Sequence, residues 1–256
     1  MFLNSIAATN VGKIRKNNED NFFLCGKYKK SPEVENMIVS DCRQRRRYLF
    51  GVCDGMGGAD YGEIAALIAV ETMSEYWENA SSDICGCAQD ANLKICSAIE
   101  SNESKRMGAT FAAALVEDNI AHIYNVGDSR VYLIHNNSIT QLSEDHTYAQ
   151  MLVNQGIITQ EQAKMHNGRN VLTQHLGIFP DEMLIEAFCA EPIKLDLSDT
   201  LLLCSDGLTD MLSDKEILDV CCSNDEPSAK GNKLIGFALK NGGRDNITVV
   251  LAQVEE

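Results

Sequence analysis

Apolar residues fall along this chain in distinct rhythms. The runs NFFLC (21–25), YLFGVC (48–53) and TLLLCSD (200–206), the last ending on aspartate, are short, largely apolar and bounded by polar turns. That pattern predicts strands buried on both faces. From Tyr61 to Trp77 the spacing changes: Ile64, Ala65, Ile68, Ala69, Thr72, Met73 and Tyr76 recur at helical intervals. Ile84, Ala88, Ala91, Ile95, Ala98 and Ile99 predict a second helix within 83–103. ATFAAALVEDN, IAHIYNVGDSR, VYLIHNN and SITQLS are apolar runs cut by turn residues, with hairpin signals at Asp118-Asn119 and Asn136-Asn137.

Residues 145–175 change character. Helical stretches around Tyr148–Asn154 and Gln160–His166, joined through Gly156, predict a helical insert between strands. GLTDML, residues 214–222 and Ser228–Lys240 read as helices, and NGGRDNITVVLAQV as a turn leading into a final strand. Residues 26–47 are polar and irregular and read as a solvated hairpin loop. Their cations, Lys27, Lys29, Lys30, Arg43 and Arg45 to Arg47, leave an anion-docking patch open as the alternative. Strands and helices cluster rather than alternate, so the fold expected is α+β and layered, with antiparallel sheet.

Composition narrows the function. The chain has 256 residues, 45% of them hydrophobic, enough to fill one core, and a single domain over 1–256 is expected. A net charge of -15 argues against a general nucleic-acid binder, which needs a basic face. No apolar stretch approaches the roughly 20 residues that span a bilayer, so no membrane partner is expected. The N-terminal stretch lacks the pattern of a secretory signal, and a cytoplasmic monomer is the expectation. The ten cysteines include no C-x-x-C pair. Cys25, Cys53, Cys189 and Cys204 read as small core residues, while Cys85, Cys87, Cys221 and Cys222 leave a minor redox reading.

Acids recur at strand ends. Asp54 closes VCDG, Asp206 closes LLCSDG and Asp128 follows the strand of YNVGDSR. Asp245 in GGRDN, and Glu19 and Asp20 in RKNNED, stand just before strands. Singly, each is an ordinary turn or cap residue. Together they can converge at one rim of a sheet, where crowded carboxylates need a cation to stay ionised. Oxygen-rich clusters suit hard divalent metals such as Mg²⁺ or Mn²⁺. Gly55 allows its carbonyl to face a metal, and Gly57 and Gly58 allow close backbone approach.

The set RKNNED, VCDGMGG, GAT, VGDSR, SDGLTDML and GGRDNITVV, in order from about residue 5 to residue 252, resembles the metal-dependent serine/threonine protein phosphatases. That family is called PPM, or protein phosphatase type 2C, and the compact length and DGMGG form are similar to its bacterial members. The resemblance implies a four-layer α-β-β-α sandwich, two antiparallel sheets flanked by helices, with a flap at about 145–175. It implies two divalent cations, Mn²⁺ or Mg²⁺, bridged by Asp54. Asp206 and Asp245 complete the first cation's ligands. The Gly55 carbonyl, with Glu19 and Asp20 nearby, serves the second. Asp128 and Asp206 would hold a third. Arg15 falls where the family binds phosphate, and Gly108-Ala109-Thr110 lines the site.

The implied chemistry is hydrolysis of phosphoserine and phosphothreonine in proteins, opposing a Ser/Thr kinase. Two ions about 3.5–4 Å apart share a hydroxide that attacks phosphorus in line. Two departures stand out. Met56 occupies the place of a histidine proposed as general acid in many eukaryotic members, and His175 replaces an arginine expected in the flap. His146, His166 and His175 lie in or near the flap and read first as surface or packing residues. An inactive binding module and a nucleotidase are the other classes. The first would have lost metal acids, and the second finds no P-loop or G-x-G-x-x-G here.

Overall fold

The computed structural model describes residues 2–57, 61–101 and 106–256. Gly58 and the last two residues of the second expected helix, 102–103, lie outside them. The chain begins with β1 (Phe2–Asn10), β2 (Asn21–Leu24), β3 (Lys27–Tyr28), β4 (Asn36–Asp41), β5 (Arg47–Cys53) and β6 (Gly55–Met56). Two long helices follow, α1 (Gly62–Glu78) and α2 (Ile84–Ser101). Next come β7 (Gly108–Ala109), β8 (Phe111–Glu117), β9 (Ile120–Val126), β10 (Arg130–His135) and β11 (Ser138–Gln141). The helices α3 (Tyr148–Asn154) and α4 (Gln160–Lys164) precede β12 (Phe188–Cys189), β13 (Ile193–Lys194) and β14 (Thr200–Cys204). The chain closes with α5 (Asp206–Thr209), α6 (Asp214–Cys221), α7 (Pro227–Lys240) and β15 (Ile247–Glu255).

These elements form two antiparallel sheets. One runs β11-β10-β14-β15-β1-β4; the other runs β12-β9-β8-β5-β2-β3, with β13 also on β9. Three apolar clusters account for four layers. Phe22, Phe50, Val52, Leu201, Leu203 and Val250 pack between the sheets. Phe23, Leu49, Cys53 and Phe111 face α1 and α2 on one outer side. Ile6, Leu202, Leu251 and Val249 face α6 and α7 on the other. Adjacent residues of one strand thus enter different cores, which is why β2, β5 and β14 read as unbroken apolar runs.

The hairpins β8–β9 and β10–β11 turn at the expected pairs. Asp118, Asn119, Asn136 and Asn137 all have positive φ, as a two-residue turn of that hand requires. α2 begins at Ile84 and α7 at Pro227, each within one residue of the expected start.

The N-terminal region differs from expectation. β1 was not expected as an element, yet it lies between β15 and β4 in its sheet. Residues 26–47 are not an irregular loop. Cys25 and Gly26, both at positive φ, turn β2 into β3, and β4 pairs with β1 from Ser5↔Asp41 to Asn10↔Asn36. β4 is an edge strand with alternate residues exposed, so its composition stays polar.

The cations there are largely committed to the protein itself. Arg45 pairs with Asp41 at 2.9 Å, and Arg47 pairs with Glu117 and lies over the Trp77 ring. Lys29 is buried and donates to the Asn18 carbonyl at 2.6 Å. Cys25, Cys53 and Cys204 are buried as expected, but Cys189 is exposed, because β12 is an edge strand. Among the described residues no helix is long and apolar enough to cross a membrane.

Candidate metal centre

The acids at the strand ends meet in one cavity of about 540 Å³, lined by Arg15, Glu19, Asp54, Gly55, Asp128, Asp206 and Asp245. Both sheets contribute. Asp54 follows β5 of one, while Asp206 follows β14 and Asp245 precedes β15 of the other. Thr110, Met56 and His175 complete much of the wall.

Asp54 is held by its backbone, which leaves its carboxylate to the cavity. Its N–H donates to Thr110 Oγ1 at 2.8 Å, and its carbonyl accepts from Thr110 N at 2.8 Å. Thr110 Oγ1 also bonds Ser129 Oγ at 2.7 Å, so the GAT threonine ties the Asp54 turn to β8 and to the Asp128 turn. A Cβ on Gly55 would stand 2.2 Å from the Gly62 carbonyl oxygen and 2.6 Å from that of Glu19. Only glycine fits there, and the turn runs flush against the start of α1.

Asp206 sits on a different support. Its helix α5 starts on it, and a Cβ on Gly207 would lie 1.8 Å from the Asn246 carbonyl oxygen. Asn246 in turn organises the loop opposite. Its side-chain amide donates to the carbonyls of Val11 and Asn17, each at 2.9 Å, and its Oδ1 accepts from Glu19 N at 2.8 Å. That asparagine therefore fixes the loop carrying Arg15 and Glu19. Asn18 adds a second anchor, accepting from Asp20 N and donating to Thr9.

Asp20 does not line the cavity. It is fully buried behind it, where Oδ2 accepts from Ser205 Oγ at 2.7 Å. Arg15 donates to Asp245 Oδ2 at 2.7 Å, so its guanidinium neutralises one of the expected ligands. That hydrogen bond raises the Arg15 pKa, against the lowering effect of its burial.

The carboxylates in and behind the cavity are compensated only in part, by Arg15 on Asp245, Lys29 near Asp20 and Arg130 near Asp128. Burial, reinforced by the neighbouring aspartates, holds Asp54 and Asp206 well above the ordinary carboxylate range. Burial pushes Asp20 up to about 6, and burial with Asp145 nearby does the same to Asp128. Burial and then Glu63 raise Glu19. Among the described residues, Asp20 Oδ1, Asp206 Oδ1 and Glu63 Oε2 are buried oxygens with no hydrogen-bond partner. Buried acceptors left unpaired are costly, and hard cations are what oxygen clusters of this kind accommodate. The residues present therefore fit divalent metals.

Glu63, in the first turn of α1, was missed by sequence reasoning because it lies beyond the glycine-rich turn. Its place in the first helical turn facing that turn was the available signal. Asn18 and Asn246 stood inside the quoted motifs without a role.

Of the three histidines only His175 lines the cavity. Its Nδ1 donates to the Leu176 carbonyl at 2.8 Å, which fixes the tautomer. His146 accepts from Gly127 N, with burial lowering its pKa, and His166 accepts from Gly168 N beside the Tyr148 ring. Both are packing residues. No three cavity acids bring their ligand atoms within 4.8 Å of one another. Among the described residues only His135, Asp196 and Asp199 do, and there Asp199 is already bonded to His135.

The family model described as protein phosphatase 2C matches residues 40–226. The chain is 33% identical over 255 residues to the serine/threonine phosphatase stp of Listeria welshimeri, covering 96% of this chain and 93% of that protein. The crystal structure of the Mycobacterium tuberculosis serine/threonine phosphatase PstP/Ppp superposes with a TM-score of 0.82 at 30% identity, covering 100% of both chains. A PstP catalytic domain solved in complex with 2 manganese ions superposes with a TM-score of 0.79 at 29% identity, covering 99% of this chain and 100% of that one.

Proposed function

The chain belongs to the bacterial protein phosphatase 2C (PPM) family of serine/threonine phosphatases, and on that premise we propose that two divalent cations bind in its acidic cavity. The observation that carries this reading is the set of buried oxygens on Asp20, Asp206 and Glu63 that have no partner among the described residues, in or beside a cavity whose carboxylates have raised pKa values. Asp54 would be shared between the cations, with Asp206 and Asp245 on the first. The Gly55 carbonyl and Glu19 would serve the second, with Asp20 behind them acting through water, and Asp128 with Asp206 a third. Bound there, Mn²⁺ or Mg²⁺ would offset the carboxylate charge and lower the pKa of a water for attack on phosphorus.

The chain's own residues do the rest. Arg15 is half exposed and leaves Asp245 at little cost, so its planar fork is available to two phosphate oxygens. Met56 cannot supply a proton to the departing serine or threonine oxygen. His175 could do so only as an imidazolium, since its Nδ1 proton is committed to Leu176.

A second cavity of about 590 Å³ shares Met56, Gly57 and His175 with the first and is lined by Met107, Ile178 and Phe179. With Glu100, Arg106 and Glu182 also on its wall, that mixed apolar and charged extension suits the residues flanking a phosphorylated side chain and supports a phosphoprotein substrate. The reading extends to a monomer acting on proteins that a Ser/Thr kinase modifies.

The test is p-nitrophenyl phosphate hydrolysis by EDTA-stripped protein, with and without Mn²⁺, beside Asp206→Asn. Metal-dependent turnover that the variant lacks is the expected result. A wild-type chain that neither binds Mn²⁺ nor turns over with it overturns the reading.

A further inference from the structure

Away from the acidic cavity, two cysteines far apart in sequence meet at the surface. Cys85 is the second residue of α2 and Cys189 the last residue of β12, and their sulfurs are 3.1 Å apart. Cys189 is exposed and Cys85 half-buried behind it. Both are thiols, and closing the gap to a bond of about 2.05 Å takes a shift of about 1 Å. β12 can supply that shift, because it is a two-residue strand at the edge of its sheet, held through Phe188↔Asn125 and Cys189↔Tyr124. Cys42 and Cys222 are exposed as well, and the cysteine adjoining Cys222, Cys221, is buried.

We propose that Cys85 and Cys189 form a reversible modification site, a dithiol that a peroxide converts to a disulfide joining α2 to β12. Cys189, reached first by the oxidant, attacks a peroxide oxygen. The O–O bond breaks, water leaves and a sulfenic acid forms on Cys189. Cys85 then attacks the Cys189 sulfur. The S–S bond forms, the S–O bond breaks, and the departing hydroxyl leaves as a second water with the Cys85 proton. Two thiols lose two electrons, and one hydrogen peroxide gains them. Burial and the hydrogen bond to Cys189 push the Cys85 thiol up to about 12, which suits it to the resolving step rather than the first attack.

The position gives the bond a consequence. Asn92 lies two helical turns along α2 from Cys85. It accepts from Gly177 N at 2.6 Å and donates to the Ile178 carbonyl at 2.9 Å. α2 therefore already fastens one end of the stretch that runs from His175 to β12, and a Cys85–Cys189 bond fastens the other. The oxidised chain would carry that stretch, which walls the cavity beside the acidic site, pinned at both ends.

The test uses the full chain, treated with mild hydrogen peroxide and mapped as peptides without reduction. The expected product is a cross-linked peptide containing Cys85 and Cys189 that dithiothreitol splits. A rise in Tm of roughly 5–10 °C should accompany it, from closing a long loop. Cys189→Ser alters an exposed side chain and should leave the reduced Tm unchanged while abolishing both signals. Recovery of Cys189 as a sulfinic acid or an intermolecular disulfide with Cys85 still reduced overturns the proposal. So does recovery of both cysteines unmodified, or a Tm rise that persists in Cys189→Ser.

Discussion

The two Asp-Gly turns, at Asp54-Gly55 and Asp206-Gly207, look interchangeable in sequence. Each follows a buried strand, and each points an acid into the same cavity. Their supports differ. After Asp54 the chain stays extended as β6, tied to β7 through Gly55↔Ala109, and its glycine is pressed on Gly62 and Glu19. After Asp206 the chain turns at once into α5, and its glycine is pressed on the backbone of Asn246. One dipeptide thus answers two packing problems, one in each sheet. The acid is what the two turns have in common, and the glycine has a separate local cause at each.

The strongest way to test that kinship is to neutralise each acid in turn. Asp54→Asn and Asp206→Asn should both abolish Mn²⁺-dependent hydrolysis of p-nitrophenyl phosphate. Both should also raise the Tm of the metal-free chain, since each removes a charge that burial and neighbouring carboxylates disfavour. A variant that keeps near-normal turnover at saturating Mn²⁺ would remove its acid from the centre.

The glycines should then separate the turns. Gly207→Ala should cost about 3 kcal/mol in urea unfolding and Gly55→Ala about 2 kcal/mol, because the Gly207 clash is closer. The reverse order would mean that β15 yields more easily than α1. The hydroxyl supports should matter less for folding. Thr110→Val, which unties Asp54, and Ser205→Ala, which strips Asp20 of a donor, should each lower activity roughly 10–100-fold. Stability should fall by about 1–2 kcal/mol for each.

The gentlest probe is pH. Asp20 and Asp128 stand at about 6 in the folded chain, against an ordinary value of 3.8. A carboxyl raised in this way binds its proton more tightly when folded. Its contribution therefore favours the fold at low pH and is lost as pH rises through about 6. Tm of the metal-free chain should fall between pH 5 and 7, and Mn²⁺ should flatten that slope. Equal slopes with and without Mn²⁺ would place these acids outside the metal's reach.

Much of this was legible in the sequence, and the rest fails for physical reasons. β2, β5 and β14 announce themselves because both faces are buried, and the Asn-Asn and Asp-Asn hairpins because two positive φ values demand such residues. β4 hides because an edge strand may keep polar residues on its open face. β1 hides among Asn, Ser and Thr, whose side chains bond across strands, as Ser5 to the Asp41 carbonyl and Thr9 to Thr248. The acids of the cavity were readable as motifs. The amide of Asn246 was not, because its partners Val11 and Asn17 lie at the far end of the chain, and that of Asn18 was not, because it bonds to Thr9 on the unexpected β1. Cys189 misled because its neighbours are apolar while its strand is an edge.

The pairing of β1 with β15, from Phe2↔Glu255 to Asn10↔Ile247, sets a timetable for biosynthesis. β1 is synthesised long before β15, with which it pairs. Until β15 emerges, β1 has no strand on that side, and the loop bearing Arg15 and Glu19 lacks the Asn246 amide that fixes it. Domains whose contacts are so remote in sequence fold slowly and late. A nascent chain can assemble the β5–β8–β9 half and its Asp54 turn well before β15 is made, but Asp245 reaches the cavity only with that strand. The vessel therefore stays half-built until β15 is made, and that strand closes it against β1.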